Sequence, residues 1–212
     1  MRTVSLRLTL VSVLPFLVSC AWLTPFVFVG EHRKKVRPEF DKLRNARVAV
    51  LVWTDPSTLF DYQHARLELA TYVSHKLDAE MARRRLDTTV VDSRDVEDLL
   101  QRNIDARVDP QAVGRAFDAD FVIYLEIVRF QIRDPDQPQF LHGRIDASVS
   151  VHDIRADVDQ VRRYELAPVR CVYPDGAPVL MSATNSPLVR ETTYRKFAEL
   201  VARKFYEYTV EM

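Results

Sequence analysis

Glycine is scarce in this chain, with four residues in 212: Gly30, Gly114, Gly143 and Gly176. Phosphate-cradling loops of the GxGxxG or GxxxxGKS/T kind need several glycines within a few positions, because only a bare backbone lets its amides close around phosphate. None can be written here, which excludes the common nucleotide enzymes. An excess of either charge is also missing, since 30 Lys and Arg balance 30 Asp and Glu. A protein that lies along nucleic acid needs a basic face to displace counterions, so no nucleic-acid partner is expected. Cysteine is limited to Cys20 and Cys171, and the five histidines (His32, His64, His75, His142 and His152) show no HExxH, HxxxH or HxH spacing. A zinc site has no ready ligand set, and no metal or other cofactor is expected. No serine sits in GxSxG or SxxK, so no nucleophile is marked out and no enzymatic activity is expected.

What is present begins with an ordinary globular composition, 47% hydrophobic and 28% charged, which supplies enough apolar residues for a core. Met1 to Ser19 starts with Arg2 and Arg7, continues as an apolar run from Leu8 to Val18 and contains no acid, the pattern of a secretory signal. It closes on Leu17-Val18-Ser19-Cys20, which resembles the bacterial lipobox. The resemblance implies removal of residues 1–19 and acylation of Cys20 by a diacylglycerol and a further chain such as palmitate. At ~0.8 kcal/mol per buried CH₂, two or three acyl chains hold a protein on a bilayer almost permanently, whereas one does not. Cys20 is then a membrane anchor, and Cys171 is left without a disulfide partner. Ala21 follows, and by resemblance to enterobacterial sorting it permits delivery to the outer membrane. The alternative keeps the segment uncut. Leu8 to Val29 is about as long as a spanning helix of ~20 residues. Arg33, Lys34, Lys35 and Arg37 beyond it would then favour a single-pass inner-membrane anchor with the domain on the cytoplasmic side.

Residues 20–46 show no sustained period and read as a lipid-anchored tether. The strip from Trp22 to Val29 is either an interfacial segment or an arm packed on the domain. Regular patterning starts at Arg47, which sets the α/β domain at 47–212. RVAVLVW at 47–53 is a near-continuous apolar run, as in strands covered on both faces. Residues 63–85 place Leu69, Val73, Leu77 and Met81 four apart, an amphipathic helix. A short strand over 88–91 leads to a helix capped by Asp92 or Ser93. Asp109-Pro110 opens another, with Ala112, Val113, Ala116 and Phe117 facing inward. Residues 120–132 form the central strand. HGRIDASVSVHD at 142–153 alternates, with Arg144, Asp146 and His152 on the wet face and Ile145, Ala147, Val149 and Val151 on the other. The connection between these two strands is too short for a crossover, so they are antiparallel neighbours. A strand near 160–172, broken by Pro168, and a helix opened by Ser186-Pro187 complete the domain. The fold class is α/β: two or three layers with a mixed, partly parallel sheet flanked by helices and an antiparallel C-terminal hairpin.

RVAVLVW at 47–53, the long helix, VVDSRDVEDLL at 90–100 and VGRAFDADFVIYLEI at 113–127 together resemble a periplasmic lipoprotein domain. That domain is shared by the curli-secretion lipoprotein, the activator lipoproteins of peptidoglycan synthases and the N-terminal domain of TolB. Gly114, Ala119 and Asp120 occupy the family's places between short helix and strand, while Tyr124, Leu125 and Glu126 stand where a glycine is common. The resemblance implies a fold and does not by itself transfer a function.

A small ligand would sit beyond the carboxyl ends of the parallel strands, in the loop 54–64, where Asp55, Asp61 and His64 are the candidate residues. The bland reading of the same loop is a capped turn with Phe60 or Tyr62 as packing. A protein partner would meet the strand face at Arg144, Asp146 and His152, or an unpaired sheet edge. The expected role is a non-catalytic protein-binding or scaffold module of the bacterial envelope, held to the membrane through Cys20 and facing the periplasm. The alternatives are an envelope hydrolase using the 54–64 loop, or an accessory lipoprotein of a transport or secretion complex.

Overall fold

The computed structural model describes residues 33–102, 109–134, 136–156 and 162–211, so the signal segment, Cys20 and His32 lie outside the described residues. Two units are present. In the smaller, β1 (Arg33–Val36) pairs with β8 (Tyr208–Glu211) as a sheet of its own.

The larger unit, residues 37–208, is an α/β domain in three layers. Its strands are β2 (Arg47–Thr54), β3 (Thr89–Val90), β4 (Phe121–Arg133), β5 (Phe140–Asp153), β6 (Arg162–Tyr173) and β7 (Val179–Leu180). They lie in the order β3-β2-β4-β5-β6, with β7 added to β5. β2 runs parallel to both β3 and β4, and the pairs β4–β5, β5–β6 and β5–β7 are antiparallel. The helices are α1 (Pro56–Asp61), α2 (Ala65–Arg83), α3 (Ser93–Arg102), α4 (Pro110–Ala116) and α5 (Asn185–Ala202).

β2 is apolar at every turn of the chain because both its faces are covered. Val48, Val50 and Val52 point into the larger core with α2 and α5, while Ala49 and Leu51 point into a smaller one with Val96, Leu100 and Val113 of α3 and α4. The four-spaced stripe of α2, Leu69, Val73, Leu77 and Met81, is buried without remainder. α4 exposes Ala116, which the sequence pattern turns inward. A seven-residue helix has fewer than two turns to offer, and Pro110, Val113 and Gly114 occupy its buried side.

Two bulges preserve the core where strict alternation would break it. In β4, Ile127 faces Ala147 and Arg129 faces Asp146, so Val128 is an extra residue against β5. Before it the odd positions Phe121, Ile123, Leu125 and Ile127 enter the larger core; after it the even positions Phe130 and Ile132 do. In β6 the extra residue falls between Leu166 and Val169, beside Pro168, so the strand that the sequence breaks at this proline continues through it. Proline is tolerated there because β6 is an edge strand and a bulge leaves its position without a required donor.

The same edge is guarded elsewhere. The Ala167 amide donates to Glu39 Oε2 (2.7 Å), and Lys196 Nζ donates to the Val172 carbonyl (2.9 Å). These contacts and Pro168 leave β6 a poor template for another strand. Glu39 belongs to the stretch read as tether, yet Phe40, Leu43 and Ala46 of that stretch are core residues, with Phe40 edge-on to Phe121 at 5.2 Å.

α5 starts at Asn185, one residue before the expected Ser186-Pro187. Its stripe of Tyr194, Phe197, Ala198 and Val201 is buried, and a 3-10 turn at Arg203–Phe205 follows it before β8. Among the described residues no helix is long and apolar enough to cross a membrane.

Candidate functional site

The loop after β2 is the place where a parallel sheet gathers ligands, and its first residue is already occupied. Asp55 accepts hydrogen bonds from the Ser57 amide (2.9 Å), the Thr58 amide (3.1 Å), the Thr58 hydroxyl (2.7 Å) and the Ser57 hydroxyl. It is the N-cap of α1, with Pro56 at the first helical position. The Ser57 hydroxyl, the Thr58 hydroxyl and the two amides hold its carboxyl down at about 2. Asp61 and His64 lie at the other end of α1, and no hydrogen bond joins either to Asp55 among the described residues. The three candidates therefore form no common centre. Asp55→Ala removes the cap and is expected to cost about 1 kcal/mol, read as a lowered urea midpoint. The depressed carboxyl stabilises the fold fully above its ordinary pKa of 3.8, and that contribution is lost as pH falls through about 2. The alanine variant should lack this acid-dependent increment.

What the loop does build is a groove centred on Tyr62. One depression of about 300 Å³ is lined by Tyr62, Ile132, Arg133, Leu141, Ser186 and Arg190, with Pro187 at its margin. Two neighbours, of about 390 and 270 Å³, share Tyr62 and Asp61; one adds Phe130 and Gln131, the other Phe60, His64 and Glu68. The walls come from α1 and the residues after it, the first turn of α2, the last residues of β4, the first of β5 and the first two turns of α5. Tyr62 is held edge-on to Phe130 at 4.9 Å. Burial pushes its phenol up, against the backbone of Ile132 and the charge of Arg133. The Tyr194 ring packs on Phe130 at 5.9 Å, and burial, with the Glu68 carboxylate beside its hydroxyl, pushes that phenol far up.

Of the large apolar side chains that the described residues leave in water, Phe60 lines one of these depressions. Phe60 is 86% exposed on α1, Val128 71% at the β4 bulge and Leu188 54% on α5, with Leu180 and Met181 exposed at and after β7. Sequence reasoning reached the loop through Asp61 and His64 but missed Tyr62, Arg133 and Arg190 as a set. No spacing connects them, since they belong to different parts of the chain: the residue after α1, the last of β4 and the second turn of α5.

The strand-face candidates are dispersed. Arg144 and Asp146 form an ion pair at 3.1 Å, with Arg129 at 3.9 Å from the same carboxylate. His152, placed on the wet face by alternation, is instead buried at 7% exposure, edge-on to Tyr124 and 3.3 Å from the Ser150 hydroxyl. Burial lowers its pKa, with Arg163 acting in the same sense. Eight residues of strand separate it from Arg144, about 26 Å at ~3.3 Å per residue, so the three do not make one patch. Cys171 is a buried free thiol pushed up to about 12 by burial, which removes it from nucleophilic chemistry. Among the described residues no group of three His, Cys, Asp or Glu is placed to hold a metal ion.

No protein-family model matches the chain, and no curated protein sequence matches it. Solved structures with a similar course include the PelC dodecamer from Paraburkholderia phytofirmans, at 10% identity and a TM-score of 0.42 over 81% of this chain and 95% of that one. The hypothetical protein CT253 from Chlamydia trachomatis is 15% identical, with a TM-score of 0.40 over 74% and 96%. Lipoprotein GNA1162 from Neisseria meningitidis is 13% identical, with a TM-score of 0.36 over 73% and 99%. Bacterial lipoproteins are thus among the neighbours. Likeness at this distance assigns neither function nor assembly.

Proposed function

We propose that this chain is a membrane-anchored periplasmic lipoprotein acting as a non-catalytic protein-binding module of the bacterial envelope. The observation that carries the binding role is the groove around Tyr62, on whose wall Phe60 stands 86% exposed. Single exposed apolar residues are ordinary, but one that stands on the wall of a groove, as Phe60 does, offers a partner apolar contact. The lipobox-like Leu17-Val18-Ser19-Cys20 supports the anchor, and Ala21 supports the outer membrane as its destination. The resemblance to the curli-secretion, synthase-activator and TolB domains belongs to this same reading. On the bilayer the lipid raises the effective concentration of the domain for envelope partners, by linkage rather than by intrinsic affinity. The hydrolase alternative needs Asp55, Asp61 and His64 to converge on a substrate, and Asp55 is committed to its cap.

Metabolic labelling with a fatty acid tests the anchor. Wild type is expected to take up label and Cys20→Ser to lose it together with membrane retention; equal labelling of the two ends the lipoprotein reading. Crosslinking in intact cells tests the role. A benzoylphenylalanine in place of Leu188 is expected to capture an envelope protein, and capture of none from either Leu188 or Arg144 would remove the binding module.

A further inference from the structure

The groove at Tyr62 holds two guanidinium groups that meet no anion of the domain. Arg133 leaves the end of β4 and Arg190 the second turn of α5, and both line the same depression of about 300 Å³. Among the described residues neither side chain forms an ion pair or hydrogen bond, although both bear electrostatically on the Tyr62 phenol. Other arginines are answered: Arg66 of α2 by Glu97, Arg195 of α5 by Glu191 and Arg203 of the turn after α5 by Glu199. Two like charges held toward one concavity repel each other, and a carboxylate placed between them converts that cost into two charge-assisted forks.

The rest of the groove says what carries the carboxylate. The floor beside the arginines is Ile132 and Leu141, apolar and closed to water-loving groups. The three depressions meet around Tyr62 and together are wider than one side chain fills, which leaves room for a short stretch of peptide. Asp61 lines one adjoining depression with Arg133 and, with Glu68, another with Arg190; these acids repel an extended anionic lipid surface, while a single carboxylate of a peptide can meet the arginines from the side away from them. We propose that the groove receives an extended segment of the partner protein in which an aspartate or glutamate stands beside an apolar side chain. The carboxylate sits between Arg133 and Arg190, and the apolar group rests on Ile132 and Leu141. This deepens the protein-binding reading and depends on it.

A phage-displayed library of random nonapeptides, panned against the full lipidated chain in detergent, makes no assumption about sequence. Enriched peptides are expected to carry Asp or Glu next to Leu, Ile, Phe or Val. The labelled consensus should bind in fluorescence anisotropy at least ~10-fold more tightly than its Asn or Gln counterpart, about 1.4 kcal/mol. Arg133→Gln and Arg190→Gln should each weaken the acidic peptide ~10-fold or more and leave the amide peptide unchanged; both residues are exposed, and unaltered thermal unfolding checks that the fold is kept. The proposal is overturned if no peptide enriches, if acids are not selected, or if both substitutions leave affinity unchanged. It is equally overturned if arginine-dependent binding is found only to phosphatidylglycerol vesicles. Should the groove fail while the crosslinker at position 188 or 144 still captures an envelope protein, this assignment falls and the binding module stands; should capture fail as well, both fall.

Discussion

Gly143→Ala is expected to be among the most damaging single-methyl changes in the domain. Gly143 is a core-facing position of β5, and the space its side chain would fill belongs to α5. A Cβ built there stands 2.0 Å from Thr193 Oγ1 and 2.9 Å from both Thr193 Cβ and Cγ2. Thr193 cannot swing aside cheaply, since it is fully buried, its hydroxyl donates to the Val189 carbonyl at 2.7 Å and its carbonyl accepts from the Cys171 thiol at 3.6 Å. The helix must lift from the sheet or the strand must bend. Overpacking ordinarily costs 1–3 kcal/mol, and with a buried, hydrogen-bonded side chain in the way a loss of about 3 kcal/mol is expected, roughly 6–12 °C in Tm for a domain of this size. Thr193→Ala removes two of the three clashing atoms, so the double variant should be more stable than the sum of its single effects predicts. A Tm for Gly143→Ala within a degree of wild type would show that α5 does not approach β5 this closely.

The second large effect belongs to Glu80, a nearly buried carboxylate near the end of α2. Burial alone would raise its pKa, but Lys76 (3.0 Å), Arg84 and Arg83 (2.9 Å) donate to it and together hold it at about 2 against an ordinary 4.5. Lys76 also pairs with Glu199 of α5, which accepts from Arg203 (2.9 Å) and from the Tyr206 hydroxyl (3.2 Å), while the Arg84 guanidinium lies 3.7 Å from the Tyr206 ring centre. One acid thus anchors a chain of contacts between α2 and the C-terminal helix. Deleting one member of a buried pair costs 3–5 kcal/mol, and partial solvent access of the cations reduces this, so Glu80→Gln is expected to lose about 2 kcal/mol at pH 7. The sign follows from a depressed carboxyl: its contribution is complete above pH 4.5 and disappears as pH falls through about 2. Chemical denaturation at pH 7 and near pH 2 should show the wild type and Glu80→Gln converging in acid. A constant gap would assign the loss to packing instead.

The β4 bulge shows how far the sequence could be read. The apolar run, the central place of the strand and its antiparallel neighbour all follow from pattern and loop length. The change of phase at Val128 does not, because alternation either side of it is locally correct and only the partner strand defines the extra residue. His152 fails for a related reason. Period two assigns it to a face, but whether that face meets water depends on Tyr124 and on chain distant in sequence. Phe40 and Leu43 were lost among charges that outnumber them, although two well-placed apolar residues suffice to join a core. At the groove the loop was located from topology, and Asp55 behaved as a cap, one of the two readings that the Asp-Pro-Ser run allows. Tyr62, Arg133 and Arg190 are brought together only by folding, from three separate stretches of chain.

Glu39 gives the edge of β6 a consequence for any shortened form of the molecule. A chain begun at Arg47, where the periodic pattern starts, would lack the carboxylate that occupies the Ala167 amide and the ring that fills the space beside Phe121. It would present an open amide next to a hydrophobic hole, at the border where one sheet can continue into the next. The ten residues before the first core strand therefore act as a built-in safeguard against self-association.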